Sequence, residues 1–183
     1  MPAKKPAKQP ESKDRLPAYL QDVRVTVSAW GVLKQRVASH SAPWPEGFVC
    51  VGVGQVLTYV YDRTALESLA DGWADAVVMG ERLHLIEEPV PDPWQQDPDE
   101  VAVSIRAQGK QEHRIMGIGA QASPNGRSHV ALTVGRMTVR VYDLAALESY
   151  AAAWALALDS GAVFGGGGKS FKALRAARNK NLP

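Results

Sequence analysis

Apolar and polar residues alternate along two short stretches of the chain, residues 23–30 and 101–108. This alternation predicts half-buried strands, because successive side chains of a β-strand point to opposite faces of the sheet. Further along, apolar residues recur at every third or fourth position over residues 62–80 and 143–161. That spacing predicts two helices with one apolar stripe each, formed by Leu66, Leu69, Trp73 and Val77 and by Leu147, Tyr150, Trp154 and Leu158.

These stretches belong to an internal repeat. Residues 60–80 match residues 141–161 at a constant offset and share the segments VYD and ALES, and residues 23–31 match residues 101–109. So many identities in the same order indicate a duplication. Between its first strand and its helix, each copy has room for three more strands. We therefore predict an α+β fold: a tandem duplication of a ββββα unit, with two antiparallel four-stranded sheets and two helices related by a pseudo-twofold axis.

Glycine and aspartate mark the turns and helix ends of each copy. Gly54 and Gly135 open two-residue hairpin turns, where the first residue needs a positive φ. Each helix is expected to follow an N-cap aspartate and to stop at a glycine, Asp62 and Gly80 in the first copy and Asp143 and Gly161 in the second.

The same signals divide the chain into five segments. The first copy is predicted to span residues 21–86 and the second residues 101–164, joined by an acidic, proline-rich linker at residues 87–100. Residues 1–20 are predicted to form a disordered basic arm, and residues 165–183 a glycine-rich hinge with a basic tail. The tail sequence is compatible with a short amphipathic helix that forms on contact with a protein partner.

Composition narrows the class of protein. The 183 residues are 45% hydrophobic, and no stretch approaches the ~20 apolar residues that span a bilayer. The first residues lack the apolar run of a secretory signal, and Cys50 is the only cysteine. We therefore expect a cytoplasmic protein with no cofactor, no metal site and no membrane span.

Charge is distributed unevenly along the chain. The net charge is +2, but the basic residues concentrate in residues 1–15 and 165–183, which leaves the middle acidic. Such ends are compatible with solvated tails that keep a chain soluble. The functional interpretation is a pair of arms that attract a polyanion such as nucleic acid or an acidic lipid surface.

The element order ββββα–ββββα over residues 23–161 resembles that of the Whirly and PUR-repeat proteins. In those families two such units combine and bind single-stranded nucleic acid. The resemblance implies the same fold and the same class of ligand, and assembly into homo-oligomers. The lysine-rich strand motif of the plant Whirly proteins is absent here, so no binding residue is assigned by motif.

Strand parity supplies candidate binding residues instead. If the valines of each strand face the core, the alternate positions form outer sheet faces that mix cations with aromatic rings. Cations neutralise phosphates, and rings stack on bases. The candidates, with four cations of the tail, are Arg24, Trp30, Lys34, Arg36, Tyr59, Tyr61, Arg106, Lys110, Arg114, Arg140, Tyr142, Lys169, Lys172, Arg175 and Arg178.

Other interpretations of these residues stay open. A polar outer face is normal for an antiparallel sheet, Tyr61 and Tyr142 could pack where strand meets helix, and the acidic linker could compete with a polyanion for the basic surfaces. Trp73 and Trp154 are expected in the core, because they lie on the apolar stripes.

No catalytic motif is found, and we expect a protein that is not an enzyme. The glycine-rich residues 164–170 lack the first glycine of a phosphate-binding loop, since that position is Val163. The function predicted is single-stranded DNA or RNA binding. The alternative is a protein–protein adaptor, or an accessory protein of a phage, plasmid or mobile element in a high-GC bacterium.

Overall fold

The computed structural model describes residues 24–41, 47–91, 103–165 and 170–180, the last four of these by backbone alone. The predicted arm at residues 1–20 and most of the predicted linker, residues 92–100, lie outside the described residues. The elements are β1 Val25–Ala29, β2 Gln35–His40, β3 Phe48–Val53, β4 Val56–Val60, α1 Arg63–Arg82, β5 Val103–Ala107, β6 His113–Ile118, β7 His129–Val134, β8 Met137–Val141, α2 Leu144–Ser160 and α3 Phe171–Lys180. The predicted order of four strands and a helix in each copy is confirmed.

The eight strands form two four-stranded sheets, as predicted, but each sheet contains strands from both copies. Sheet A has the order β1-β8-β7-β6 and sheet B the order β2-β3-β4-β5. The first strand of each copy therefore lies in the sheet of the other copy. Both exchanged strands run parallel to their neighbours, β1 to β8 and β5 to β4. The prediction that all strands are antiparallel is wrong for these two pairs.

The exchange obeys the pseudo-twofold axis. Val25 is in register with Met137, and Val103 is in register with Val56, the residue equivalent to Met137 in the repeat. Most of the buried apolar side chains of the two sheets, α1 and α2 form one cluster. The two predicted units thus share a single core, which suits units too small to bury a sheet and a helix separately.

The repeated aspartates explain why β1 and β5 leave their own copies. Each caps its helix as predicted, since Asp62 Oδ1 accepts from the Ala65 amide and Asp143 Oδ1 from the Ala146 amide, both at 2.7 Å. The second oxygen of each carboxylate binds the other copy: Asp143 Oδ2 accepts from Gly31 N at 2.7 Å. Asp62 Oδ2 does the same with Gly109 N at 2.5 Å. The loop after each first strand is thereby held at the other copy's helix.

The repeated serines make a second pair of such bonds. Ser68 Oγ accepts from Gln111 N and Ser149 Oγ from Leu33 N, each at 3.0 Å. Both loops also turn through a glycine with positive φ, Gly31 or Gly109. The mid-helix serines therefore have a structural role, which is to fix the loops that cross between the sheets.

Each helix packs mainly on the sheet that holds the last strands of the opposite copy. Helix α1 lies against β6 and β7, α2 lies against β2 and β3, and the two helices contact each other. The prediction that Gly80 ends α1 is wrong, because α1 continues to Arg82. A Cβ at Gly80 would overlap Leu147 Cδ2, so the glycine permits close helix packing. Gly161 caps α2 as expected, and a Cβ there would lie 2.6 Å from Leu66 Cδ2.

Aromatic residues occupy the centre of this core. Trp73 and Trp154 are buried, as predicted, and the Trp73 ring stacks on Tyr150 with 3.9 Å between ring centroids. Burial raises the pKa of Tyr150 well above its ordinary value.

Among the described residues, no helix has the length and apolar character needed to cross a membrane.

Helix α3, which covers most of the predicted basic tail, packs on α1 of the same chain. Leu174 is buried at this contact, and Arg175 forms an ion pair with Glu81 of α1. The helical segment of the tail therefore has a packing surface within the chain.

Candidate nucleic-acid interface

Acidic side chains are distributed unevenly between the sheets and helix α1. The eight strands contain four arginines and no aspartate or glutamate. Helix α1 by contrast carries four acidic residues, two of which form ion pairs, Glu67 with Arg63 of the same helix and Glu81 with Arg175 of α3. An anionic ligand would therefore meet fewer repulsive charges on the sheets than on α1.

The outer surface of sheet B, called here the B face, is the side turned away from the valine-rich core. Residues that are in register on neighbouring strands form rows across this face. One row runs from Ala38 through Cys50 and Tyr59 to Arg106. The B face consists of Arg36, Ala38, His40, Phe48, Cys50, Gly52, Leu57, Tyr59, Ser104 and Arg106.

Strand exchange brings a cation beside an aromatic ring on this face. Arg106 of the second copy is the register partner of Tyr59 of the first copy. The Arg106 side chain is exposed and Tyr59 is half-buried, while Arg36 is exposed in the neighbouring row. Tyr59 thus has Arg106 on the adjacent strand, while Arg36 lies two strands away on the same face.

Further aromatic rings continue from Tyr59 toward one end of the B face. Phe48 stacks on the exposed His40 ring at 4.5 Å and meets Tyr59 edge-on at 5.8 Å. Tyr61, just beyond β4, lies 6.0 Å from Phe48. Phe48, Tyr59 and Tyr61 are all half-buried, so each offers part of its ring to solvent. We call His40, Phe48, Tyr59 and Tyr61 the aromatic cluster.

The equivalent A face of sheet A is polar rather than aromatic. One row joins Thr26, Thr138, Thr133 and Arg114, and the next joins Ser28, Arg140, Ala131 and Met116. The Thr133 and Thr138 hydroxyls share a hydrogen bond of 2.9 Å. Arg114 is exposed and Arg140 half-buried, so this face offers cations without an accessible ring cluster.

Two of the predicted base-stacking residues do not serve that role in this structure. Trp30 and Tyr142 are only 8% and 5% exposed, and their rings stack on each other at 3.8 Å. The guanidinium of Arg127 lies 5.4 Å from the Trp30 ring centroid. The prediction placed these rings on an exposed surface by parity alone, and it is corrected because they pack on each other where β1 meets β8.

His129 completes this buried group. It is 1% exposed, and its ring lies 4.9 Å from that of Tyr142. Burial lowers the pKa of His129; a hydrogen bond to the Arg127 carbonyl opposes this shift, and the charge of Arg140 adds to it.

The remaining predicted cations lie outside the two faces. Arg24 immediately precedes β1, and Lys34 and Lys110 lie in the loops that cross between the sheets; all three are exposed. In the tail, Lys172 is exposed and Arg175 is paired with Glu81. Lys169 and the side chain of Arg178 lie outside what the structure describes.

Sequence reasoning did not include Phe48 and Cys50 among the candidates. Parity along β3 carries the signal for both, because Val49, Val51 and Val53 point inward and the intervening residues must point outward. The register pairing of Tyr59 with Arg106 had no comparable signal, since it depends on which sheet β5 joins. No family model, curated protein or solved structure matches this chain.

Proposed function

We propose that the chain binds single-stranded nucleic acid on the B face. The observation that carries this proposal is the register pairing of Tyr59 with Arg106 on a sheet face that has no acidic residue and that also carries Arg36 and other rings of the aromatic cluster. Arginines bind phosphates, and partly exposed rings accept unstacked bases at ~1–3 kcal/mol per base. Both groups occur here within neighbouring rows of one sheet.

The arrangement favours single strands over duplexes. The rings of the aromatic cluster can stack only on bases that have left a duplex stack, whereas arginines bind either form. The A face, with Arg114 and Arg140 but no accessible cluster, would contribute phosphate contacts alone. The B face should therefore contribute more to the affinity for single-stranded nucleic acid than the A face does.

A binding assay with a matched pair of variants tests the proposal. Fluorescence anisotropy would compare labelled single-stranded and duplex oligonucleotides across a salt series, using the full chain. Arg106→Gln should weaken single-strand binding and flatten the dependence on salt, because each phosphate contact adds about −0.7 to the slope of log affinity against log salt. Arg82→Gln, which removes an exposed cation from α1, is the control and should change little.

Cys50 gives an independent readout of the same face. It is the only cysteine and lies in register with Tyr59, so a thiol reagent reports on a single position. Burial raises the pKa of the Cys50 thiol, which calls for an alkaline alkylation buffer. A bound single strand should slow the alkylation of Cys50. Tight binding that leaves this rate unchanged would place the ligand elsewhere and reject the B face.

A further inference from the structure

We infer a second, separate binding site in this chain: the edge of β1 that pairs with no other strand among the described residues, together with the cleft beside it, accepts an extended peptide, which adds to sheet A as a fifth strand. The peptide belongs to a partner protein and carries apolar residues at alternate positions, with acidic residues toward its ends. This inference is independent of nucleic-acid binding, since it uses an edge of sheet A and not the B face.

The backbone of β1 provides the first observation. Val25 N donates to Arg136 O at 3.0 Å, and Ala29 O accepts from Tyr142 N at 3.3 Å, so the odd-numbered residues of β1 pair with β8. Backbone groups alternate in direction along a strand, so those of Thr26 and Ser28 point away from β8. Because β1 ends the strand order of sheet A, these groups form an edge that another strand can extend.

The cleft provides the second observation. It has a volume of about 440 Å³, a size typical of binding pockets, and it runs along β1 from Val27 to the crossing loop. Leu33, Val53, Tyr150 and residues 89–91 supply most of the opposite wall. The alternate side chains of an added strand would enter this mainly apolar space, as in other cases of strand addition.

Comparison of the two copies provides the third observation. The loop after β1 reads WGVLK, whereas its counterpart after β5 reads QGKQE. Both loops make the same bonds to the other copy's aspartate and serine, so these bonds do not themselves require apolar residues in one loop. Val32 nevertheless lies 77% exposed beside the cleft. Trp30 packs on Tyr142 and Leu33 packs against the core, so an apolar partner is needed to account for Val32 alone.

Charge selects the kind of peptide. Arg24 and Arg136 are exposed near the start of β1, and the exposed Lys34 lines the cleft near its other end. No acidic residue belongs to β1, and none of the described residues that line the cleft is acidic. Acidic residues toward the ends of a bound strand would therefore meet cations on the protein.

The experiment begins with the full chain immobilised and panned against a random-peptide phage library. A selected peptide is then synthesised with a fluorophore, and its affinity is measured by anisotropy for the parent chain and for three variants. Ser28→Pro removes an outward N–H while leaving the bonds to β8 intact. Ser104→Pro makes the same change on the edge of β5 that faces away from β4, and it is the control. Val32→Glu alters an exposed side chain at the cleft without touching the backbone of β1.

The expected result is selection of peptides with alternating apolar residues and acidic ends. Loss of one strand hydrogen bond should lower their affinity about tenfold in Ser28→Pro, and Ser104→Pro should match the parent. Val32→Glu should also weaken binding, which keeps the test decisive if Ser28→Pro fails to fold. Failure to select any peptide, or equal binding by the parent, Ser28→Pro and Val32→Glu, would overturn the proposal. Concentration-dependent dimers that Ser28→Pro abolishes would assign the edge to a second copy instead, and would also overturn it.

Discussion

Equivalent aromatic residues have different surroundings in the two copies. Tyr142 is buried against Trp30, whereas its counterpart Tyr61 is half-buried and borders the B face. The difference follows from the residue that comes directly after each exchanged strand. This residue is Trp30 after β1 but Gln108 after β5. This change, together with His129 in place of Phe48, accompanies a buried aromatic site in one copy and a partly accessible one in the other.

This difference predicts that two tyrosine substitutions act on separate properties. Tyr59→Ala should weaken binding of single-stranded oligonucleotides by ~1–3 kcal/mol, because it removes a stacking ring from the B face. Tyr142→Ala should instead destabilise the fold by ~3–5 kcal/mol, as expected for truncation of a buried aromatic side chain. Anisotropy and urea unfolding measure the two effects. A large loss of affinity in a stably folded Tyr142→Ala variant would contradict the assignment.

His129 should make stability depend on pH. Its pKa in the folded protein is lowered from the ordinary 6.5, so below that pH the unfolded chain binds more protons than the folded one. The contribution of His129 to the free energy of unfolding should therefore be most favourable above pH 6.5. It should decrease as the pH drops through 6.5 toward the pKa of His129 in the folded protein.

The matched variant is His129→Phe, which installs the residue that the first copy has at Phe48. The difference in unfolding free energy between variant and parent, measured by urea titration at several pH values, should grow in favour of the variant below pH 6.5. Parallel pH profiles for the two proteins would show that His129 does not titrate as the structure implies.

At the scale of elements, glycine sets how closely the two long helices approach. Gly80 packs against Leu147 and Gly161 packs against Leu66, which are equivalent pairs in the repeat. The duplicated glycines are therefore explained by contact between helices, whereas their positions in the sequence indicate helix ends. Local patterns could not distinguish these roles, because Gly80 lies only two residues before the last residue of α1.

Gly80→Ala tests this contact. Alanine favours a helix by about 1 kcal/mol over glycine, so an exposed glycine would gain stability from the change. Here the added methyl group would overlap Leu147 in a packed core, and we expect a loss of ~1–3 kcal/mol. In a double-mutant cycle with Leu147→Ala, the cost of Gly80→Ala should shrink. Additive costs in the cycle would indicate that the two residues do not compete for the same space.

At the scale of the whole molecule, strand exchange makes the two copies interdependent. Each copy gives one strand to the other copy's sheet and packs its helix mainly there. Separate fragments of residues 1–100 and 101–183 should each lack a cooperative unfolding transition, because neither contains a complete four-stranded sheet. Mixing the fragments should restore the transition seen in the intact chain by circular dichroism.

Cooperative unfolding of one fragment alone would contradict this prediction. A fragment that unfolds cooperatively as a monomer would mean that β1 or β5 can pair within its own copy. The fragments would then behave as two independent domains, the arrangement predicted from the sequence boundaries at residues 21–86 and 101–164.

Patterns confined to neighbouring residues determined the elements of this protein. Alternating valines specified the strands, Asp62 and Asp143 specified the helix starts, and Gly54 and Gly135 specified the hairpins, because each depends on contacts within a few positions. The outward positions of Arg36, Tyr59, Arg106 and Arg114 followed from the same period of two.

Only the tertiary structure decided how these elements combine. The alternation in β1 suits pairing with either sheet, and the choice is made by bonds from Gly31 and Leu33 to a helix more than 100 residues away. That choice placed Trp30 against Tyr142 and Arg106 beside Tyr59, which buried one predicted site and assembled another. The physical reason is that a strand's own pattern specifies which face is buried, whereas its neighbour depends on contacts between residues distant in sequence.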